Sequence, residues 1–199
     1  MTEWGQLDTC WRHAMSAALE AYLDGSAPIG AVVVDSNGQI ISTGRNNFAG
    51  DRLGHAEMGA LNGVPANTRR DQISLFSTLE PCPMCTGAVR MMQIKSLHFA
   101  ARDPAAGSIE LLTATRFMRR FSCDVKRPAD PTLEFVNVAL TLEYRTRIGH
   151  LRWRDEWISY NRPAVEVGEK LAEEHRFSHW TTANSTPETI FEEVCGYVR

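Results

Sequence analysis

His55-Ala56-Glu57 and, further along, Pro81-Cys82-Pro83-Met84-Cys85 concentrate one imidazole, one carboxylate and two thiols in two short segments. For these groups to act together, the chain must fold so that the two segments meet. Cys82 and Cys85 are one helical turn apart and share a face. At a helix start, the positive end of the macrodipole and free backbone N–H groups stabilise thiolates. Pro81 is read as opening that helix, where its missing N–H costs nothing. With His55 from a neighbouring helix, the set gives zinc three protein ligands and leaves a fourth position for water, whose pKa would fall to about 7. That is a recipe for hydrolysis. The competing reading is a structural zinc closed by a fourth side chain, His98 or Cys123. Glu57 is the natural proton carrier, but a two-residue step turns roughly 200° in a helix, so spacing alone does not put its carboxylate beside the metal.

Composition narrows the class. The chain has 199 residues, 43% of them apolar, enough for one ordinary domain with an appendage. No run approaches the roughly 18 apolar residues of a membrane span, and the N-terminus lacks an export signal, so a cytoplasmic protein without membrane partners is expected. Five cysteines are an odd number. In an unexported chain the close pair reads as metal chemistry, with Cys10, Cys123 and Cys195 as small buried residues. The net charge of −3 argues against an obligatory nucleic-acid partner. Residues 1–149 hold 15 basic and 15 acidic side chains, so the acidic excess lies in residues 150–199, with 6 and 9. Arg116, Arg119, Arg120, Lys126 and Arg127 form a basic cluster, either a solvated helix face or a contact for a polyanion.

Periodicity predicts an amphipathic helix from Trp4 to Tyr22, ending near Asp24-Gly25. A hairpin follows, Ile29–Val34 and Gln39–Thr43 about the turn Ser36-Asn37-Gly38. Then come a helix over His55–Asn62, a strand over Ile73–Thr78, the Pro81 helix to about Gln93 and a strand over Ser96–Ala101. A helix after Gly107-Ser108 carries Ile109, Leu112, Thr113, Phe117 and Arg120, and Phe121–Val125 is a last strand. Asp130-Pro131 caps a helix that turns Phe135, Val136, Ala139, Leu142 and Tyr144 inward. This order implies an α/β fold, a three-layer α/β/α sandwich around a central mixed sheet of about five strands, the later ones parallel. Residues 1–149 form the domain. Residues 150–199 form a C-terminal extension, with helices over Ala164–His175 and from Thr186, packed on the core or on a partner subunit.

The motif residues resemble those of the zinc-dependent deaminase superfamily of cytidine, cytosine, guanine and tRNA adenosine deaminases, whose signature is His-x-Glu followed by Pro-Cys-x-x-Cys. The similarity spans about residues 8–147. It is densest in Ala27–Val34, Gly44-Arg45-Asn46, His55-Ala56-Glu57, Thr78–Ala88 and Ala101-Arg102-Asp103, and its wording is closest to the tRNA adenosine and guanine deaminase branch. The resemblance implies a cytidine deaminase-like fold, with zinc on His55, Cys82 and Cys85. It implies that Glu57 shuttles protons from water to the ring nitrogen and the leaving amine. Asn46, matching the family's hairpin asparagine, would hydrogen-bond the base or its sugar; read alone, Asn46-Asn47 is a turn pair.

The expected activity is therefore a zinc-dependent aminohydrolase acting on a small nucleobase or nucleoside, purine-type favoured. The alternatives are a tRNA-specific adenosine deaminase and a catalytically silent deaminase-fold subunit or RNA-binding scaffold. The tRNA enzymes of the superfamily typically close with a short basic helix, whereas here an acidic extension follows, and anions near the mouth repel phosphates. Trp153, Trp157 and Tyr160 either bury the extension or cover the pocket and stack on a flat ring. Relatives commonly form homodimers, with the helix of Met84, Val89, Met91 and Met92 as a candidate interface.

Overall fold

All five residues of Gly30–Val34 (β1) are buried, so this strand is covered on both faces. Successive side chains of a strand point to opposite sides. Ala31 and Val33 pack with Ala56 and Ala60, while Val32 and Val34 pack with Ala14. Those partners sit on two helices, Ala56–Asn62 (α2) and Thr9–Leu23 (α1). One wholly apolar strand thus dictates three layers.

The computed structural model describes residues 1–48, 50–127 and 130–197. The sheet order is β2-β1-β3-β4-β5, with β2 Ile40–Arg45, β3 Ser74–Leu79, β4 Ser96–Ala101 and β5 Asp124–Lys126. β1 runs antiparallel to β2 and β3, and β3, β4 and β5 run parallel, giving the mixed five-stranded sheet expected. Helices α2, Pro83–Met92 (α3) and the short Leu111–Ala114 (α4) cover one face. Helix α1 and Pro131–Arg147 (α5) cover the other.

Several local readings are corrected. Trp4 lies in a 3-10 turn, Trp4–Gln6, and α1 starts only at Thr9 because the Asp8 side chain caps it by accepting from Cys10 N at 2.9 Å. Helix α3 starts later than Pro81: Cys82 is its N-cap and Pro83 takes the first helical position. The expected helix after Gly107 is split, because Thr115 is extended and its Oγ1 accepts from Met118 N, opening a separate 3-10 turn, Met118–Arg120. The buried Arg90 guanidinium holds that crossover by donating to the carbonyls of Met118 and Phe121. β5 accordingly begins at Asp124 rather than Phe121.

The extension comprises Arg154–Glu173 (α6), Arg176–Thr182 (α7) and Pro187–Gly196 (α8), all on the α1/α5 side. Helix α6 is longer than expected because it contains a kink. Asn161 leaves helical geometry and its Oδ1 accepts from Ala164 N, so it caps the second half, and Pro163 sits in that half's first turn. Gly168 permits the close α5–α6 approach, since a Cβ there would stand 2.3 Å from Ala139 O. Trp157, Trp180, Ile190 and Phe191 are fully buried in one core with α1 and α5. Beneath it, Tyr22 donates to Glu143 Oε2 at 2.6 Å, Arg147 donates to Glu143 Oε1 at 3.0 Å, and the guanidinium lies 3.6 Å from the Phe177 ring centre. Three elements, α1, α5 and α7, are tied by that network. No helix among the described residues is long and apolar enough to cross a membrane.

Candidate active site

Gly44 sets the position of the site. A Cβ on it would lie 2.1 Å from Ala56 O and 2.3 Å from Ala60 N, so only glycine lets α2 rest directly on β2. That contact presents His55, the N-cap of α2, and Glu57, in its first turn, at the edge where β3 and β4 end. Cys82 and Cys85 arrive at the same edge from the start of α3. Ligand sites of open α/β sheets lie beyond the C-terminal ends of parallel strands, as here.

His55 Nδ1 stands 3.5 Å from Cys82 Sγ and 3.6 Å from Cys85 Sγ. A tetrahedral zinc, about 2.0–2.1 Å from nitrogen and 2.3 Å from sulfur, would hold such atoms about 3.6 Å apart. The donor set therefore fits this ion by chemistry and by spacing. Among the described residues, the metal-capable group is His55, Cys82 and Cys85, with no fourth side chain. His98, one of the two candidates for closing a structural site, is stacked on Phe76 and bonded to Ser96 Oγ instead. Cys123, the other, packs at the margin of the core under α2 and α3.

Glu57 is 3% exposed, and its carboxylate is gripped from both sides: Ser77 Oγ donates to Oε1 at 3.2 Å and Cys85 Sγ to Oε2 at 3.5 Å. Burial pushes its pKa up. The neighbouring Cys85 side chain draws Cys82 down to about 4, while the Cys82 side chain and burial push Cys85 up. The hydrogen bond to Cys82 raises His55.

His55, Glu57 and Cys82 line a 380 Å³ cavity, at the small end of the roughly 300–1,000 Å³ usual for ligand sites. Ala27, Ile29, Leu79 and Phe48 form its apolar wall. Asn46 lines it too, buried; its Oδ1 accepts from Phe48 N at 3.0 Å, which orients the amide. Sequence reasoning missed the α5 side, where Thr141, Tyr144, Arg145 and Ile148 enter the cavity. The i, i+4 spacing of Thr141 and Arg145 was the available signal. Trp153, Trp157 and Tyr160 do not line it. Trp157 is buried, Tyr160 OH accepts from Arg102 N at 3.0 Å and Trp153 is exposed, so the first two serve packing and support. A larger hollow of 710 Å³, beside Trp11, Phe76 and His98, contains none of the four motif residues.

Comparison with known proteins follows the same residues. The profile of the cytidine and deoxycytidylate deaminase zinc-binding region matches residues 5–101. The tRNA-specific adenosine deaminase of Bacillus subtilis is 36% identical over 115 residues, covering 53% of this chain and 71% of that enzyme. The chain belongs to the zinc-binding cytidine and deoxycytidylate deaminase family. The tRNA(Ile)-lysidine synthase of Deinococcus deserti is 38% identical over 108 residues, 52% of this chain, yet the chain spans only 20% of that synthase's length. A solved structure from a study of A-to-I editing by tRNA:A34 deaminases superposes with a TM-score of 0.54 at 27% identity, over 60% of this chain and 96% of that one. Membership makes zinc the cofactor of this region, and His55, Cys82 and Cys85 form a group whose spacing fits such an ion.

Proposed function

We propose that this deaminase-family chain is a hydrolytic aminohydrolase, releasing ammonia from an amino-substituted nucleobase or nucleoside, purine-type favoured, with residues 1–149 as the deaminase unit and 150–199 as its extension. The observation that carries the reading is the carboxylate of Glu57 lying 3.5 Å from Cys85 Sγ, beside a three-residue donor set of which His55 and Cys82 line the cavity. Bound zinc supplies a Lewis acid that makes water nucleophilic near neutral pH. Ser77 holds Glu57 Oε1, which leaves Oε2 turned toward the donor set. A buried carboxyl with a raised pKa exchanges protons closer to neutrality, as a group that must both accept and donate requires. Glu57 Oε2 takes a proton from the attacking water and hands it to the ring nitrogen; it then takes the hydroxyl proton of the tetrahedral adduct and gives it to the departing amine, so that the carbonyl forms, ammonia leaves and the carboxylate is restored. Asn46 binds the base or its sugar from the hairpin side. The apolar wall suits a flat heterocycle and keeps bulk water away.

A second reading, deamination of adenosine in tRNA, draws on the Bacillus subtilis relative's name. Against it, three of the five basic residues already have partners in the chain: Lys126 pairs with Asp124, Arg127 with Glu134, and Arg119 donates to Thr113 O. None of the five basic residues lines the cavity. Assembly as a homodimer belongs to the proposal as well. On α3, Val89 and Met92 pack into the chain's own core and Met91 is exposed, so sedimentation decides whether that face is shared.

The test is an ammonia-release screen over free bases, nucleosides and tRNA. Release from a free purine or nucleoside, abolished by chelation and restored by zinc, supports the first reading. Inosine formed only in tRNA, with steep salt dependence, supports the second. Release from no substrate by zinc-loaded protein contradicts both.

A further inference from the structure

Helix α5 brings Thr141, Tyr144 and Arg145 to the cavity, and the proposed chemistry uses none of them. Thr141 is 4% exposed and lines the cavity, and its Oγ1 has no hydrogen-bond partner among the described residues. A buried hydroxyl without a partner is costly, which points to a ligand that satisfies it. Arg145 follows one turn later on the same face. Among the described residues its guanidinium makes one long hydrogen bond, from NH1 to Arg152 O at 3.4 Å, and rests 5.5 Å from the centre of the Trp157 ring.

Both supports come from the extension, so Arg152 and Trp157 act as positioning residues for Arg145. Arg145 is in no ion pair among the described residues, although Glu80 and Asp103 also line the cavity. Those carboxylates are engaged elsewhere: Glu80 Oε1 accepts from Ile109 N, and Asp103 Oδ1 from Ala105 N and Ala106 N. Desolvation lowers the pKa of Arg145, which marks a guanidinium held away from water. Asp103 acts on this guanidinium only through space, outside ion-pair distance, and a partly desolvated guanidinium in no close ion pair recognises carboxylate or phosphate oxygens.

We infer that Thr141 and Arg145 form a recognition edge for an anionic oxygen group, and that the substrate is an amino heterocycle bearing a carboxylate or phosphate. The inference deepens the aminohydrolase reading and rests on it for the identity of the cavity.

Binding separates the two. Isothermal titration of the zinc-loaded full chain carrying Glu57→Gln, which blocks turnover, compares adenosine with adenosine 5′-monophosphate and cytosine with 5-carboxycytosine. The anionic member of at least one pair binds about tenfold tighter or more, as a charge-assisted hydrogen bond implies. The pair that discriminates tells phosphate from carboxylate. Arg145→Met, added to this protein and checked by its melting curve, brings the anionic member down to its neutral partner and leaves the neutral one unchanged. Arg145→Lys keeps part of the preference, and Thr141→Val weakens the anionic member in a folded protein. Equal affinities in both pairs, no binding by either anionic member, a preference surviving Arg145→Met, or binding confined to a tRNA anticodon stem-loop each overturns the inference. Tight binding of an anionic member that unsubstituted protein never deaminates leaves the recognition edge standing and counts against the aminohydrolase reading instead.

Discussion

Cys85 Sγ donates to Glu57 Oε2 at 3.5 Å, joining the last ligand of the donor set to the carboxylate at the start of α2. The two residues come from separate segments, and the helix step between His55 and Glu57 does not by itself bring them together. Their meeting depends on how closely α2 lies on the sheet.

Glu57 carries a stability cost that should follow pH. Its folded pKa is raised above the ordinary 4.5 by burial. A raised folded pKa stabilises fully below the unfolded value, and that contribution is lost as pH rises through the folded one. Metal-free Glu57→Gln should therefore gain melting temperature over the unsubstituted protein as pH climbs from 4 toward neutrality, with little difference at the acid end. Thermal melts at matched ionic strength measure it, and a gap independent of pH contradicts it.

Cys82 should be the first thiol to react in chelated protein. Its pKa of about 4 keeps it a thiolate until pH falls through that value, while Cys85 stays protonated and buried. Mass-mapped iodoacetamide labelling at pH 5.5 should find Cys82 modified well ahead of Cys85, and zinc should protect both. Equal labelling of the two sulfurs would count against the lowered pKa of Cys82.

Gly44→Ala should act at a distance from the chemistry. The new methyl meets the α2 backbone at 2.1 and 2.3 Å, so the helix must move. A stability loss of about 1–3 kcal/mol, the usual cost of overpacking, is expected together with reduced zinc retention. Urea unfolding and metal analysis of the same sample check it; full zinc affinity in the variant would show that α2 need not rest on β2.

Arg147→Met should loosen the extension. Glu143 is buried with Arg147 and Tyr22 as its partners, and removing the cation strands a carboxylate in the core. A loss of about 3 kcal/mol is expected by chemical denaturation. A variant as stable as the parent would mean that Glu143 takes up a proton at little cost.

Much of this architecture was legible because local signals agreed. The unbroken β-branched run Val32-Val33-Val34 of β1, the Ser36-Asn37-Gly38 turn and the Asp130 cap each specify their element without outside help. The metal triad was legible because residue type and spacing carry ligand chemistry directly. What escaped depended on tertiary contacts. Pro83, not Pro81, starts α3 because Cys82 takes the cap, and the crossover helix broke where Thr115 and Arg90 satisfy backbone groups locally. The kink at Asn161 hid the first half of α6 behind a proline. Thr141 and Arg145 looked like any residues of an amphipathic helix until α5 was seen beside the donor set.

The most direct test pairs two readings on one sample of Glu57→Gln. Bound zinc per chain should match the parent protein, since the carboxylate is not among the three ligands, while ammonia release from the parent's best substrate should fall by several orders of magnitude. Activity retained in the variant, or zinc lost along with it, would contradict the assignment of Glu57 as proton carrier beside a three-ligand metal.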